Sequence, residues 1–431
     1  MSSESSQTLR DFVSLQRGTT YKGNLVGLPG PILLGLASIE ANGGFRYGGF
    51  KTYGGDCPEK ITLQPNDVYV SLKDVTQSGS LLGSVARVPN DIGIGRLTQD
   101  TVKLVFDGLP ISREYVYWLL RTPAYRDYCR GCATGTTTLG LARDDFLNYP
   151  VPTPSAADCM LVELLEGLEE RITLLRETNK TLEFIAQAIF KSWFVDFDPV
   201  RAKMEGRQPE GVDEATAALF PDSFEESELG LMPRGWQEKS LDKVANYLNG
   251  LALQKFPPTG TNDLPVIKIA QLRKGDTNGA DLASGNIKSE YIVHDGDVLF
   301  SWSGSLEVEV WCGGTGALNQ HLFKVTSAQY PKWFYYLWTK HHLPSFRQVA
   351  ASKATTMGHI QRKHLSAAKA TVPSTGLMDE ASKVFIPLID LQIENALRMR
   401  NLVAIRDTLL PRLVSGQLSM PVESRVAKAI A

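Results

Sequence analysis

The sequence predicts an α+β chain made twice over: two strand-rich modules separated by two long antiparallel coiled-coil helices, with a pseudo-two-fold internal repeat. Three observations carry this expectation. Short motifs recur in the same order in both halves, each half opens with short alternating apolar runs, and each closes on a long helical stripe of apolar residues.

The repeat is read first, because a duplicated chain implies a duplicated architecture. Leu34-Gly-Leu-Ala-Ser-Ile39 is echoed by Ile267-Lys-Ile-Ala-Gln-Leu272, and Asp67-Val-Tyr-Val-Ser71 by Asp297-Val-Leu-Phe-Ser301. Both pairs read as short strands entered from a turn. Gly95-Arg-Leu-Thr-Gln99 followed by Lys103 matches Gly316-Ala-Leu-Asn-Gln320 followed by Lys324. Tyr117-Trp-Leu-Leu120 matches Tyr335-Tyr-Leu-Trp338 as a short aromatic helix. Thr137-Thr-Leu-Gly140 matches Thr355-Thr-Met-Gly358, and each leads to a leucine, Leu147 and Leu365.

The first module spans 1–154 and ends at the proline-rich stop Val151-Pro-Thr-Pro154. Over 155–197 the apolar residues alternate at three and four, the spacing of a heptad seam. Leu165, Ile172, Ala186 and Trp193 take the a positions, and Leu168, Leu175, Leu182 and Ile189 the d positions. Asn179 is a polar intruder at a, where asparagine sets register at some cost in stability. Residues 198–234, with Pro199, Pro209, Pro221, Pro233 and the acidic run Glu225-Glu-Ser-Glu228, read as an extended connector. The second module follows over 235–375. A second helix occupies 376–420, its apolar stripe running through Phe385, Leu388, Met399, Leu402, Leu409 and Leu413, and 421–431 is a tail. Gln392, Asn395 and Arg406 interrupt that stripe. The two stripes predict helices that pack on each other; the alternative is that each packs on its own module.

Two helices of roughly 30 residues, at about 1.5 Å per residue, make a rod on the order of 45 Å. Half-sites one turn of B-DNA apart are separated by about 34 to 36 Å. An antiparallel rod of that length would hold two modules slightly more than one helical turn apart, which predicts a split recognition sequence with an unread spacer. The modules differ in sequence, so the two half-sites are expected to differ.

Composition narrows the class. At 431 residues the chain exceeds one ordinary core, and 43% hydrophobic with 21% charged residues is a soluble globular balance. No apolar run approaches the roughly 20 residues of a spanning helix, and the start lacks the pattern of a signal peptide, so a cytoplasmic location is expected. Cys57, Cys129, Cys132, Cys159 and Cys312 form an odd set that argues for reduced thiols, and the Cys129–Cys132 spacing has no second pair with which to build a zinc site. The net charge of −2 announces no global attraction to a polyanion, so any nucleic-acid surface is local.

No catalytic or metal site and no cofactor is expected in this chain. An amino-group DNA methyltransferase needs an Asn/Asp-Pro-Pro-aromatic motif and a Gly-rich cofactor loop, and neither occurs. Gly135-Thr-Thr-Thr-Leu-Gly140 has a phosphate loop's glycine spacing without its Lys-Ser/Thr. The six histidines, His294, His321, His341, His342, His359 and His364, show no HExxH pattern. The recurring polar residues suit base reading instead: Asn and Gln match adenine, Arg matches guanine, and Ser or Thr bonds base or phosphate. In the first module the candidates are Arg96, Gln99, Thr136, Thr137, Thr138 and Arg143. In the second they are Gln271, Ser301, Asn319, Gln320, His321, Lys353, Thr355, Thr356, His359, Gln361, Arg362 and Lys363. The basic Gln361-Arg-Lys-His364 faces a partly acidic counterpart, Arg143-Asp-Asp-Phe146, as modules tuned to different targets would.

Phe190-Lys-Ser-Trp-Phe-Val-Asp-Phe-Asp-Pro-Val-Arg-Ala-Lys203, then Leu219-Phe-Pro-Asp-Ser-Phe224 and Gly235-Trp236, closely resemble segments of type I restriction-modification specificity subunits. Arg406-Asp-Thr-Leu-Leu-Pro-Arg-Leu-Val-Ser-Gly-Gln-Leu418 resembles that family's ending. Gly235-Trp236 has no equivalent before Leu9. The resemblance implies two target recognition domains, each reading half of a bipartite site in double-stranded DNA. It also implies docking of two modification (methyltransferase) subunits and of motor-nuclease restriction subunits. S-adenosylmethionine, ATP and magnesium would belong to those partners, and the chain itself would be non-catalytic. A scaffold that uses the same helices without reading DNA, and a modification enzyme with a degenerate active site, are the competing readings.

Overall fold

In a computed structural model that describes residues 7–47, 50–76, 79–106, 111–227, 230–352 and 358–413, the short strands of each half pair into two main sheets flanked by two-stranded pairs. The chain divides into two compact units: one gathers the residues up to Ile172 with the segment from Leu402, and the other spans Thr173–Asn401.

In the first unit, strands β1 (Val13–Arg17), β2 (Ile32–Leu34), β3 (Thr62–Leu63), β4 (Val68–Ser71), β5 (Lys73–Asp74), β6 (Val85–Arg87), β7 (Gly95–Leu97) and β8 (Thr101–Phe106) come first. Helices α1 (Arg113–Leu119) and α2 (Pro123–Gly131) follow, then β9 (Leu139–Gly140) and α3 (Arg143–Leu147). The strands form an antiparallel sheet in the order β1-β8-β4-β6 and a smaller sheet β2-β7-β3, in which β2 and β7 run parallel. Val68, Val70, Val85, Leu104 and Trp118 are among the buried side chains between the larger sheet and the helices.

Helix α4 (Ala156–Phe194) leaves the first unit and ends in the second. There the predicted extended connector is folded. It holds α5 (Asp198–Met204), α6 (Glu214–Leu219) and the hairpin β10 (Phe224–Ser227) with β11 (Gly230–Pro233). One of its prolines acts as a starter rather than a breaker: Pro199 sits in the first turn of α5, where no N–H is needed. Asp213 caps α6 by accepting from Thr216 N at 3.0 Å, and Val200, Phe220 and Met232 are buried in the unit's core.

The second module comprises β12 (Gln237–Ser240), α7 (Leu241–Val244), β13 (Asn246–Asn249), β14 (Leu264–Ile267), α8 (Ile269–Lys274), β15 (Leu282–Ala283), β16 (Ile292–Val293), β17 (Val298–Ser301), β18 (Val308–Val310), β19 (Gly316–Leu318) and β20 (Leu322–Thr326). Then come α9 (Lys332–Ser352), α10 (Arg362–Ala367), β21 (Lys369–Val372) and α11 (Thr375–Leu409). Its sheets repeat the first module's: β13-β20-β17-β18 is antiparallel, and β14-β19-β16 keeps the parallel β14–β19 pair, with β15 added at the edge.

The repeat motifs acquire physical reasons. Asp67 accepts from Gln64 N at 2.8 Å and pairs with Lys103 at 2.5 Å; Asp297 accepts from His294 N at 2.8 Å and pairs with Lys324 at 2.8 Å. Each carboxylate thus closes the turn before its strand and ties that strand to its neighbour. Ser71 and Ser301, wholly buried at the strand ends, bind the backbone of the turn that follows, Ser301 donating to Ser305 O at 2.6 Å. Gly18 and Gly250 lie against the backbone after β7 and β19, where an added Cβ would collide with Thr98 O and Asn319 O respectively.

Two further sequence expectations need correction. Leu34–Ile39 and Ile267–Leu272 are strands only at their first residue, after which the chain enters a 3-10 turn and α8 respectively. The aromatic helix is short in the first half, but α9 runs for 21 residues.

The long helices pack both on each other and on the modules. In the second unit Asn179 on α4 donates to Gln392 O at 2.9 Å and accepts from Asn395 Nδ2 at 3.0 Å, while Trp193 meets Phe385 edge-on at 6.1 Å. Rising residue numbers on α4 meet falling ones on α11, so the helices are antiparallel there. In the first unit Glu169 pairs with Arg406 at 3.0 Å, and Leu161 and Leu165 share a core with Leu410 and Leu413. Glu166, one position after Leu165, accepts both from Arg87 and from the Trp118 indole at 2.6 Å, fixing α4 to the first module. The a residues Leu165, Ile172, Ala186 and Trp193 are buried, and so is Leu175 at d. Leu168, Leu182, Ile189, Leu388, Met399, Leu402 and Leu409 are half-buried. Among the described residues no helix is long and apolar enough to cross a membrane.

Candidate nucleic-acid interface

Three segments of the second module converge beyond the ends of β17 and β19. The turn Asn319–His321 follows β19, Trp302–Gly304 follows β17, and Gly358–Ile360 precedes α10. Backbone bonds stitch them together: Trp302 N donates to His321 O at 3.3 Å, Ile360 N to Trp302 O at 2.9 Å, and Gly304 N to Gly358 O at 2.8 Å. On this base stand the side chains of Trp302, Gln320, His321 and His359, each half-buried. His321 Nδ1 is 3.0 Å from Ser303 Oγ, and its ring lies 5.9 Å from that of Trp302. Trp302 donates its indole N–H to Asn249 Oδ1 at 2.9 Å, and meets His359 edge-on at 6.3 Å. Nearby, Arg362 lies over Phe323 and donates to Tyr247 O at 3.2 Å, while Gln361 and Lys363 are exposed beside it.

The first module builds the corresponding place differently. Leu141 N donates to Leu72 O at 3.0 Å, as Ile360 N does to Trp302 O, and β5 pairs with β9 beside it. Gln99 is exposed on the turn after β7, Thr136, Thr137 and Thr138 on the loop closed by the Thr134–Gly140 bridge, and Arg143 at the start of α3. Lys73 pairs with Asp100 at 3.1 Å here. The two modules therefore share a frame but not its side chains.

Four of the sequence candidates are structural. Arg96 is 4% exposed, its guanidinium bonded to Asp56 O, Thr19 O, Leu97 O, Thr19 Oγ1 and Thr20 O and lying over Tyr53; no donor is left for guanine. Ser301 holds its own turn, and Asn319, also 4% exposed, accepts from His321 N at 3.2 Å. Gln271 lies in the first turn of α8, where its side chain accepts from Lys268 N at 3.2 Å and so closes that turn. Lys353, Thr355 and Thr356 lie outside the described residues.

Sequence reasoning missed Trp302, Ser303 and Asn249. The available signal was positional: Trp302 follows the anchor serine of the repeat, where the first half has Leu72, and an aromatic at the mouth of a strand has an apolar face to offer. Elsewhere, burial pushes the Cys129 thiol up to about 11, so it stays protonated and inert. Among the described residues no three His, Cys, Asp or Glu side chains are grouped to hold a metal.

The stretch 233–397, which contains the whole convergence, matches the family described as Type I restriction modification DNA specificity domain. The second unit carries a type I restriction modification DNA specificity domain. The chain that bears this specificity domain is similar to the HindI specificity subunit of a type I restriction enzyme from Haemophilus influenzae, 24% identical over 304 residues, which are 60% of this chain and 66% of that one. It is also similar to the MjaIX specificity subunit from Methanocaldococcus jannaschii, 22% identical over 318 residues, 72% of this chain and 69% of the relative. The matches span about two thirds of the length of these relatives. A solved type I restriction-modification S subunit from M. genitalium aligns over 94% of this chain and 95% of its own, at 16% identity and a TM-score of 0.47.

Proposed function

We propose that this chain is the DNA sequence-specificity subunit of a type I restriction-modification complex. The observation that carries the proposal is the duplicated frame: two modules with the same strand order present polar loops at the same strand ends, yet with different side chains. Two readers of one design with different residues suit a bipartite, asymmetric site in double-stranded DNA. The paired helices would space the readers, and α4 offers Leu164, Leu174 and Phe184 to solvent, the last 74% exposed, as a surface for modification subunits. Methylation and cleavage would belong to those modification subunits and to motor-nuclease restriction subunits, which would hold S-adenosylmethionine, ATP and magnesium.

The test exchanges residues 1–150 for the same module of another specificity subunit and maps methylated adenines in the host. One half of the methylated sequence is expected to change and the other to persist. An unchanged target would point to a scaffold, and S-adenosylmethionine binding by this chain in isolation would point to an enzyme.

A further inference from the structure

We infer that the half-site of the second module is read through Gln320, with His321 and Trp302 as the residues that position it; the inference rests on the DNA-reading function proposed above. Polar side chains on an exposed turn ordinarily sample several rotamers, and a reader built from them discriminates poorly until they are ordered. Here the ordering is built in. Trp302 is anchored at three points: its backbone N–H and C=O bond to His321 O and Ile360 N, and its indole N–H is spent on Asn249 Oδ1. With that donor occupied the ring serves as a wall, tilted at 39° against His321 and at 32° against Phe323.

His321 is held on its second side by Ser303, itself buried. Gln320 Nε2 lies 3.4 Å from His321 Nε2, so in the matching tautomer the amide donates to Nε2 and Nδ1–H donates to Ser303 Oγ. This fixes the plane of the Gln320 carboxamide, which offers a donor and an acceptor side by side. That pattern matches adenine N6 and N7 in the major groove. The first module has Leu72 where the second has Trp302, and its Gln99 is exposed on the corresponding turn. The brace is a property of the second reader.

The experiment expresses the full chain with its modification subunits and maps the methylated sequence for wild type, Gln320→Ala, His321→Ala, Trp302→Ala and Trp302→Phe. Gln320→Ala is expected to lose on the order of 10- to 100-fold discrimination at an A·T pair. That pair should lie in the half-site that persists when residues 1–150 are exchanged. His321→Ala and Trp302→Ala should relax the same position, and Trp302→Phe, which keeps an aromatic wall, should restore most of it. Uniformly lower methylation with every position still specified would assign Trp302 to stability and overturn the inference, as would relaxation confined to the other half-site. A wild-type complex that methylates without a bipartite preference would remove the underlying function as well; an intact wild-type motif unaffected by the variants removes this inference alone.

Discussion

His342 shows how one half-buried side chain contributes to a pH response. It stacks on Trp338 at 5.9 Å, and its Nε2–H donates to Lys369 O at 2.8 Å. Burial holds its pKa below the ordinary 6.5, outweighing that hydrogen bond, which acts in the opposite direction. A depressed value means that the unfolded chain takes the proton first on acidification. The contribution of His342 to stability is therefore complete above pH 6.5 and is lost as pH falls below it. Thermal unfolding followed from neutral to mildly acidic pH should show a falling midpoint, to which His341, pushed down to about 4 chiefly by desolvation, also contributes; His342→Gln should reduce that slope, and an identical slope would remove His342 as one of its causes. Residue chemistry was legible in the sequence, but burial was not. Arg96 and Arg362 look alike as guanine readers, yet one is consumed by five backbone and side-chain acceptors while the other stands at the surface. Trp302 was passed over because nothing local to it shows that three distant segments meet around its ring.

At the scale of elements, the interruptions in the two heptad seams answer each other. Asn179 meets Asn395, which is 3% exposed, and Arg406 meets Glu169. A seam examined one helix at a time shows only defects, since the partner lies about two hundred residues away and the register of antiparallel helices is fixed by folding. Asn395→Ala should cost about 1–3 kcal/mol by leaving the half-buried Asn179 carboxamide short of a partner. Replacing both by leucine should recover much of that loss, because the unsatisfied group is removed with its mate. Denaturant midpoints of the single and double variants distinguish a paired role from two independent ones. The helices and the strand repeat were legible because their periods are local; the folding of 198–234 was not, because prolines and acidic residues mark loops and helix first turns alike. Pro199 and Asp213 belong to the latter.

For the whole molecule, the proposed spacing role of the helices makes a geometric prediction. Adding one heptad to each of α4 and α11, in register, lengthens each by about 10 Å. At about 3.4 Å per base pair this corresponds to roughly three base pairs. A complex carrying that insertion should methylate the same two half-sites with a spacer longer by about that number, and an unchanged spacer would show that something other than helix length governs the separation. Module swapping and helix extension thus address different quantities, the identity of each half-site and the interval between them.

The first unit is assembled from both ends of the described chain: Leu161, Val162 and Leu165 near the start of α4 share their core with Leu410 and Leu413. A ribosome delivers every residue of Thr173–Asn401 before it delivers those two leucines. During synthesis the second unit can therefore close while the first still waits with an open flank, and the half made earliest is the half finished last. A message truncated near residue 400 would release a chain whose later module is whole and whose earlier one still shows bare leucines to the chaperones.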